Sequence, residues 1–510
     1  MLAPKILLIY PPPQFMPQET ARPDGGLGLL YLAGALEDAG MEVDVLDAAL
    51  GDESHDLKTS FYRRVEQENG LIRLGLSFEE IASMVARKGY NVVGIHSNFT
   101  PQTRMALETA RAVKKISKDI LVIVGGVNAR NLIEYFLRSG DVDFVATTES
   151  EKTLVRLVRQ WSLGLDPGDI DGMAFLEEGT LVVRPPSGES VSTDLDDLPL
   201  PRWHKLPLTK YARVSGPHGD TSLVKGRIYA PIMTSRGCPF KCSYCHISVE
   251  KEDPQSSGGI GALRLKSVDR VIEEVIILKH LGVSRLYFED DSLLARKERV
   301  KQIFGRVAGL GLSIADVNGV NLVHFLRRDK NTGKLEPDRE YFEILKAAGF
   351  DHIVFPVESG SQRILDKYAT AKLKLEIMDV VALVKTAVEV GIACPVNMMI
   401  GFPDETEAEI NQSIELAKKL IGAGAERCAF FIPIPFPGSQ LFNLARAEGY
   451  LDLCFDPDKF NIHRVCMKNT MVSPERLLEL KEEAWRTVNP VNQIQERFRL
   501  SVGAEVAVGR

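Results

Sequence analysis

From Ile6 to Ala146 the chain alternates short β-branched runs with segments of helical periodicity, and this alternation leaves few folds open. Ile6–Tyr10 reads as a buried strand that stops at Pro11-Pro12-Pro13, because proline has no N–H to give a ladder. After the glycines Gly25, Gly26 and Gly28, residues Leu29, Leu32, Ala33 and Leu36 recur on one helical face, and Gly40 ends that helix. Strands are expected again at 43–46, 92–96, 120–124 and 144–146, with helices between them. Strand and helix in strict alternation predict an α/β domain, a doubly wound parallel sheet covered on both faces. In such a sheet ligands bind beyond the carboxyl ends of the strands, here the segments 11–15, 97–101, 125–129 and 147–151. Gly125-Gly126 suits close backbone approach to a bulky ligand or phosphate, and equally a plain tight turn.

The stretch from Asp194 to Pro207, rich in Asp, Leu and Pro, suits an extended connection between domains. A second series of strands and helices follows. Strands are expected at 228–234, 285–288, 312–317, 353–357, 395–400 and 428–434, and helices at 268–281, 341–348, 377–390 and 408–420. That makes about six βα units, an incomplete barrel rather than a closed eightfold one. Beyond Gln440 the chain reads as helical and irregular. The expected division is 1–190, a linker at 191–225, a barrel at 226–440 and a C-terminal region at 441–510.

With 510 residues, 45% hydrophobic and 26% charged, the chain has the composition of a globular protein of two or three domains. Its most apolar long stretch, Met378 to Phe402, is broken by Asp379, Lys385 and Glu389, so no membrane insertion is expected. The start, Met1-Leu-Ala-Pro, lacks a basic segment and cleavage site, and a cytoplasmic protein is expected. A net charge of −7 gives no general attraction for nucleic acid, which is not expected as a partner.

Seven cysteines in a chain expected in a reducing compartment argue against a disulfide framework. Cys394, Cys428, Cys454 and Cys466 are scattered, whereas Cys238, Cys242 and Cys245 form a C-x3-C-x2-C pattern in TSRGCPFKCSYCH, directly after a strand. Such a loop can turn three thiolates toward one point, and three thiolates on a four-iron cluster leave one iron without a protein ligand. The competing reading is structural zinc with His246 as fourth ligand, although adjacent Cys245 and His246 diverge from an extended backbone.

Here the sequence resembles the radical S-adenosylmethionine superfamily, and Arg236-Gly-Cys-Pro-Phe with the aromatic Tyr244 resembles its cobalamin-binding branch. The resemblance implies a [4Fe-4S] cluster on Cys238, Cys242 and Cys245, whose open iron chelates S-adenosylmethionine and cleaves it to a 5′-deoxyadenosyl radical. Tyr287-Phe-Glu-Asp-Asp-Ser-Leu resembles the acidic second-strand motif near the methionine amino group, which implicates Glu289, Asp290 and Asp291. As plain sequence, the three acids could also be a solvated strand end. Phe355-Pro-Val-Glu-Ser-Gly-Ser-Gln resembles the fourth-strand segment that contacts ribose and carboxylate, which implicates Glu358 and Ser359. Ile400-Gly-Phe-Pro-Asp-Glu-Thr resembles the fifth-strand turn by the adenine, with Gly401, and Pro433 to Gly438 resembles the sixth. Any one of these could be an ordinary strand-to-helix turn; their order along the chain gives the resemblance its weight.

The N-terminal part resembles the Rossmann-like cobalamin-binding domain of the same branch. The matching features are Pro11-Pro-Pro, Gly28-Leu-Leu-Tyr-Leu-Ala, Gly125-Gly126, Asp143-Phe-Val and Glu149-Ser-Glu151. The resemblance implies cobalamin contacts at Pro12, Gly28, Ser97, Gly125, Gly126 and Glu149. Thr148 and Ser150 stand where the family commonly has glycine. No Asp-x-His-x-x-Gly follows a strand, so cobalamin is expected without a histidine lower ligand, and His96 is expected to be a core residue.

These resemblances imply a cobalamin-dependent methyltransferase. The deoxyadenosyl radical takes hydrogen from an unactivated carbon, and methylcobalamin supplies the methyl group to the resulting substrate radical. Rearrangement or ring closure without methyl transfer is the enzymatic alternative, and a cobalamin or cluster sensor the non-enzymatic one. Methylthiotransferases carry a second cluster on N-terminal cysteines, and no cysteine precedes Cys238. Cys454 and Cys466 suit a buried or structural role better than an auxiliary cluster. An electron donor such as flavodoxin or ferredoxin is expected, and a substrate that is a small molecule or a protein side chain. Phe455, Phe460, His463 and Arg464 in the C-terminal region are expected near its pocket.

Overall fold

The computed structural model describes residues 3–19, 23, 25–214, 226–316, 318–370 and 372–492. Val317 of the expected third barrel strand, 215–225 of the expected linker and 493–510 of the C-terminal region lie outside the described residues. The chain divides into two compact units, one of residues 1–231, 250–266 and 456–459, the other of 232–249, 267–455 and 460–510.

In the first unit a seven-stranded sheet runs in the order Thr180–Val183, Met173–Glu177, Phe144–Ala146, Leu121–Gly125, Val92–His96, Lys5–Tyr10, Glu42–Asp47. Its five N-terminal strands are parallel, and the two later ones join as antiparallel neighbours. The parallel strands follow the flavodoxin-like order 2-1-3-4-5, whose topological switch lies between the first and third strands. Alternate side chains explain the two covered faces. Leu7 and Ile9 pack with Ile81, Val85, Ala106 and Val113 on one side, and Ile6 and Leu8 pack with Leu29, Leu36, Leu154 and Leu157 on the other.

The first helix, Leu27–Asp38, ends where Gly40 takes the left-handed conformation and Met41 N–H reaches back to Leu36. The next, Phe78–Lys88, has a capping box of Ser77 and Glu80. The segment after Asp194 packs tightly against the first helix. A Cβ on Gly34 would lie 2.5 Å from Leu200 O, Arg202 Nε donates to Glu37 at 2.6 Å, and fully buried Trp203 donates to Pro231 O at 2.9 Å.

In the second unit the strands Arg285–Phe288, Ser313–Asp316 and Phe350–His352 form a parallel set, joined at Ile232 O by the N–H of Glu289. Phe355–Glu358, Val396–Met399 and Cys428–Phe431 form a second parallel set. The strand expected at 353–357 is found as Phe355–Glu358, preceded by a short unexpected strand, Phe350–His352, with Ile353 N–H between them donating to Ala393 O. Helices Val268–His280, Lys297–Val307, Arg339–Ala348, Val380–Val390 and Glu407–Gly422 complete a partial barrel. Pro474–Val488 is the main C-terminal helix. No helix among the described residues is long and apolar enough to cross a membrane.

Candidate cluster loop and strand-end sites

The loop after Ile232 is held at both ends. At its start the buried carboxylate of Asp290 accepts Thr234 N–H at 2.9 and 3.0 Å, Thr234 Oγ1 at 2.7 Å and Ser235 Oγ at 2.6 Å. Exposed Asp291 accepts Gly237 N–H at 3.1 Å, and Gly237 needs its left-handed φ of 76° to make that turn. Farther along, Lys241–Cys242 pairs antiparallel with Ala369–Thr370, and Ser243 N–H donates to Tyr368 O at 2.8 Å. The two acids thus fix the loop itself. Half-buried Glu289 bonds through its backbone, to Ile232 O and from Asn318 Nδ2.

All seven cysteines are free thiols, with Cys242 buried and Cys238 and Cys245 half-buried. Burial, opposed by the Ile247 N–H and reinforced by Asp291, Cys242 and Cys238, pushes the Cys245 thiol up to about 12. The three sulfurs therefore lie within one another's fields, in a place that tolerates thiolates only beside compensating positive charge. An iron–sulfur cluster supplies that charge and takes one thiolate at each of three corners, so this donor set fits it. Among the described residues no three His, Cys, Asp or Glu side chains, the three cysteines included, gather closely enough for a single metal ion.

Beside the loop stands Glu358, the last residue of its strand, with φ of 67° in the left-handed region that non-glycine residues avoid. Such strain persists where surrounding contacts dictate it. Here Glu358 Oε1 accepts Tyr244 Oη at 2.9 Å and Lys372 Nζ at 2.6 Å. Burial, then the charges of Glu358 and Cys242, raise the Tyr244 hydroxyl well above its ordinary value, so it remains a donor. Phe402 lies 6.1 Å from Tyr244 and stacks on Tyr368 at 4.3 Å. Gly401, with φ of 94°, donates to Glu405 at 2.6 Å and has no room for a Cβ, which would sit 2.8 Å from Leu477. Ser359 is fully buried, and its hydroxyl meets Ser413 Oγ at 3.2 Å and accepts Ser361 N–H. The structure thus ties Tyr244 of the cysteine loop to Glu358 and sets the Gly401–Phe402 turn near it, and turns Ser359 into the packing.

Sequence reasoning missed Lys372. It also missed the segment 250–266, which packs in the first unit through Arg264 to Glu149 (2.5 and 3.0 Å) and Glu250 to Arg130 (2.9 Å). Phe455 and Phe460 pack in an apolar cluster with Phe442 and Leu451. Cys394 and Cys428 are core thiols, pushed up to about 12 by burial.

In the first unit the strand ends at the switch point carry Tyr10 and His96, stacked at 4.7 Å. Burial pushes His96 down to about 4, so the ring is neutral. Ser97 N–H donates to Gly125 O at 2.7 Å, and Asn128 Nδ2 donates to Ser97 Oγ at 2.8 Å. A Cβ on Gly126 would lie 2.5 Å from Ser97 O, so that glycine is required by loop against loop. Gly125 would meet only Ala146 at 3.4 Å. Pro12 is buried, and Glu149 is engaged by Arg264. Gly28 differs from these: it is exposed, and nothing lies within 4 Å of where its Cβ would stand. A strand-end crevice with a neutral ring and an open helix turn is compatible with a bulky, largely apolar cofactor.

A flavodoxin-like sheet followed by a partial barrel with a three-thiol loop after its first strand defines the class of cobalamin-binding radical SAM proteins. The family models agree: the Radical SAM superfamily matches residues 232–417 and the B12 binding domain residues 25–158, and the chain belongs to the radical SAM superfamily with a B12-binding domain. S-adenosylmethionine, a [4Fe-4S] cluster and cobalamin are its cofactors. The chain is 28% identical to an uncharacterized methyltransferase of Pyrococcus horikoshii over 484 residues, covering 94% of this chain and 91% of that one. It is 24% identical to the cytidylyl-2-hydroxyethylphosphonate methyltransferase of Streptomyces wedmorensis, covering 94% and 88%. Its fold is similar to that of the radical S-adenosylmethionine methyltransferase TsrM of Kitasatospora setae, solved with cobalamin and a [4Fe-4S] cluster, with a TM-score of 0.66, 17% identity and coverage of 96% and 90%.

Proposed function

We propose that the chain is a cobalamin-dependent radical SAM methyltransferase that methylates an unactivated carbon of a small molecule in the cytoplasm, drawing electrons from a flavodoxin or ferredoxin. The observation that carries this reading is the loop of Cys238, Cys242 and Cys245, tied through Tyr244 to the strained Glu358, in a chain that also holds a B12-binding domain. Two relatives similar over most of its length are named methyltransferases. When bound, the cofactors supply one-electron cleavage of S-adenosylmethionine and a transferable methyl group.

The chain's own residues bind and orient. Cys238, Cys242 and Cys245 would ligate the cluster, and Asp290 and Asp291 would hold their loop in place. Glu358 presents its carboxylate beside the thiols, and Tyr244 and the Gly401–Phe402 turn form the apolar wall against which an adenine would lie. Glu289, at the strand end, would take the methionine amino group. In the first unit Gly28, Pro12 and the loops of Ser97, Gly125, Gly126 and Glu149 would frame cobalamin.

The test is a metabolite comparison. Strains with and without the gene are grown on methyl-labelled methionine, and a gene-dependent product carrying the label is expected by mass spectrometry. A gene-dependent product without label points to rearrangement or ring closure instead. Absence of both a labelled product and 5′-deoxyadenosine from the reduced, reconstituted protein would overturn catalysis.

A further inference from the structure

Lys372 lies on the segment that strand-pairs with the cysteine loop. Cys242 faces Ala369 across the antiparallel pair, and Lys372 N–H turns back to Ala369 O at 3.0 Å. Its ammonium reaches Glu358 at 2.6 Å, and the two side chains are 15% and 8% exposed. Burial works against the charge, but Glu358, Cys242 and Cys238 outweigh it and hold the lysine above its ordinary value. A buried ammonium therefore stands on the segment that pairs with the cysteine loop at Cys242.

We propose that Lys372 is a positioning residue that sets the reduction potential of the cluster, with Glu358 as its counterweight. The inference rests on the cluster assignment above. Three thiolates on the oxidised four-iron core leave one net negative charge, and reduction adds a second. Each added electron is resisted by the charge already there. A buried ammonium offsets that resistance in a low-dielectric setting, so it favours the reduced state and raises the potential. Glu358 carries the opposite charge at 2.6 Å and tempers the effect. The electron comes from the low-potential donor, and no bond is made or broken at Lys372.

The experiment is an anaerobic redox titration of the reconstituted full-length protein without S-adenosylmethionine, followed by electron paramagnetic resonance of the reduced cluster. The Lys372→Met variant is expected to shift the midpoint to more negative potential, and Lys372→Arg to leave it near the wild-type value. The Glu358→Gln variant, which leaves the lysine uncompensated, should shift it the other way. An intact cluster in Lys372→Met with the wild-type midpoint overturns the proposal. If that variant takes up no iron, Glu358→Gln decides: a positive shift supports the charge pair, and an unchanged or negative one overturns it. Wild-type protein that assembles no cluster would instead bring down the functional reading itself.

Discussion

Cys242 and Ala369 face each other across a two-residue antiparallel pair, so the middle thiol of the loop is fixed by the segment that follows the fourth barrel strand. Cys242 is also the most buried of the three, and its carbonyl accepts Cys245 N–H and Ser248 Oγ. Replacing it with alanine removes a sulfur without disturbing those backbone bonds. Cys242→Ala is expected to fold, to lose bound iron and sulfide and the ability to cleave S-adenosylmethionine, and to keep cobalamin. Iron analysis and the cobalamin absorption spectrum read both halves. Retained cleavage activity would contradict the ligand assignment.

Asp290 holds the entry of the same loop from 1% exposure, with three donors converging on its two oxygens, the Thr234 N–H shared between them. In Asp290→Asn one oxygen becomes an NH2 group that must face a donor. Leaving buried donors unmet costs about 1–3 kcal/mol. The variant should melt lower than wild type as apoprotein and take up less iron on reconstitution. Unchanged melting together with full iron uptake would show that the loop does not depend on this carboxylate.

The sequence makes the sheet strands and the thiol loop readable because their signals are local. Runs such as Val92–His96 and the cysteine spacing need only neighbours to be recognised. The helix Lys297–Val307 was not assigned from the sequence, although Val300, Ile303, Phe304 and Val307 recur at helical spacing and are the residues it buries. Lys372 was not readable, because its place depends on a pairing between 242 and 369 that leaves no local trace. The same holds for 250–266, which is tied by the ion pairs Arg264–Glu149 and Arg130–Glu250 between residues more than a hundred positions apart. Ser359 shows the converse case: the motif is present, but its hydroxyl is spent on Ser413 and Ser361.

Two glycines should respond oppositely to alanine. At Gly401 the left-handed backbone and the 2.8 Å approach to Leu477 both resist a Cβ, and Gly401→Ala should destabilise by about 1–3 kcal/mol. At Gly28 the backbone is helical and the space is open, so Gly28→Ala should stabilise the apoprotein by about 0.5–1 kcal/mol. If cobalamin fills that space, the same change weakens its uptake. Denaturant melts and cobalamin titration separate the effects, and undiminished uptake in Gly28→Ala would remove this residue from the cobalamin site.

Glu405 gives a pH dependence that can be assigned to one group. Its carboxyl is fully buried, accepts the N–H groups of Gly401 and Phe402 on one oxygen, and leaves the other without a partner. Burial, opposed by those two N–H groups and aided by the charge of Glu409, pushes it up to about 7. In the unfolded chain a glutamate titrates near 4.3. Between these values the folded protein holds a proton that the unfolded chain has released, so stability falls as pH rises from about 4.3 to about 7 and levels off above that. The full loss is on the order of 3–4 kcal/mol. Glutamine keeps an oxygen for the two N–H groups and carries no charge, so Glu405→Gln should be as stable as wild type near pH 5 and more stable at pH 8. Denaturant unfolding of the apoproteins at the two pH values tests this, and parallel pH profiles for the two proteins would show that Glu405 does not titrate in this range.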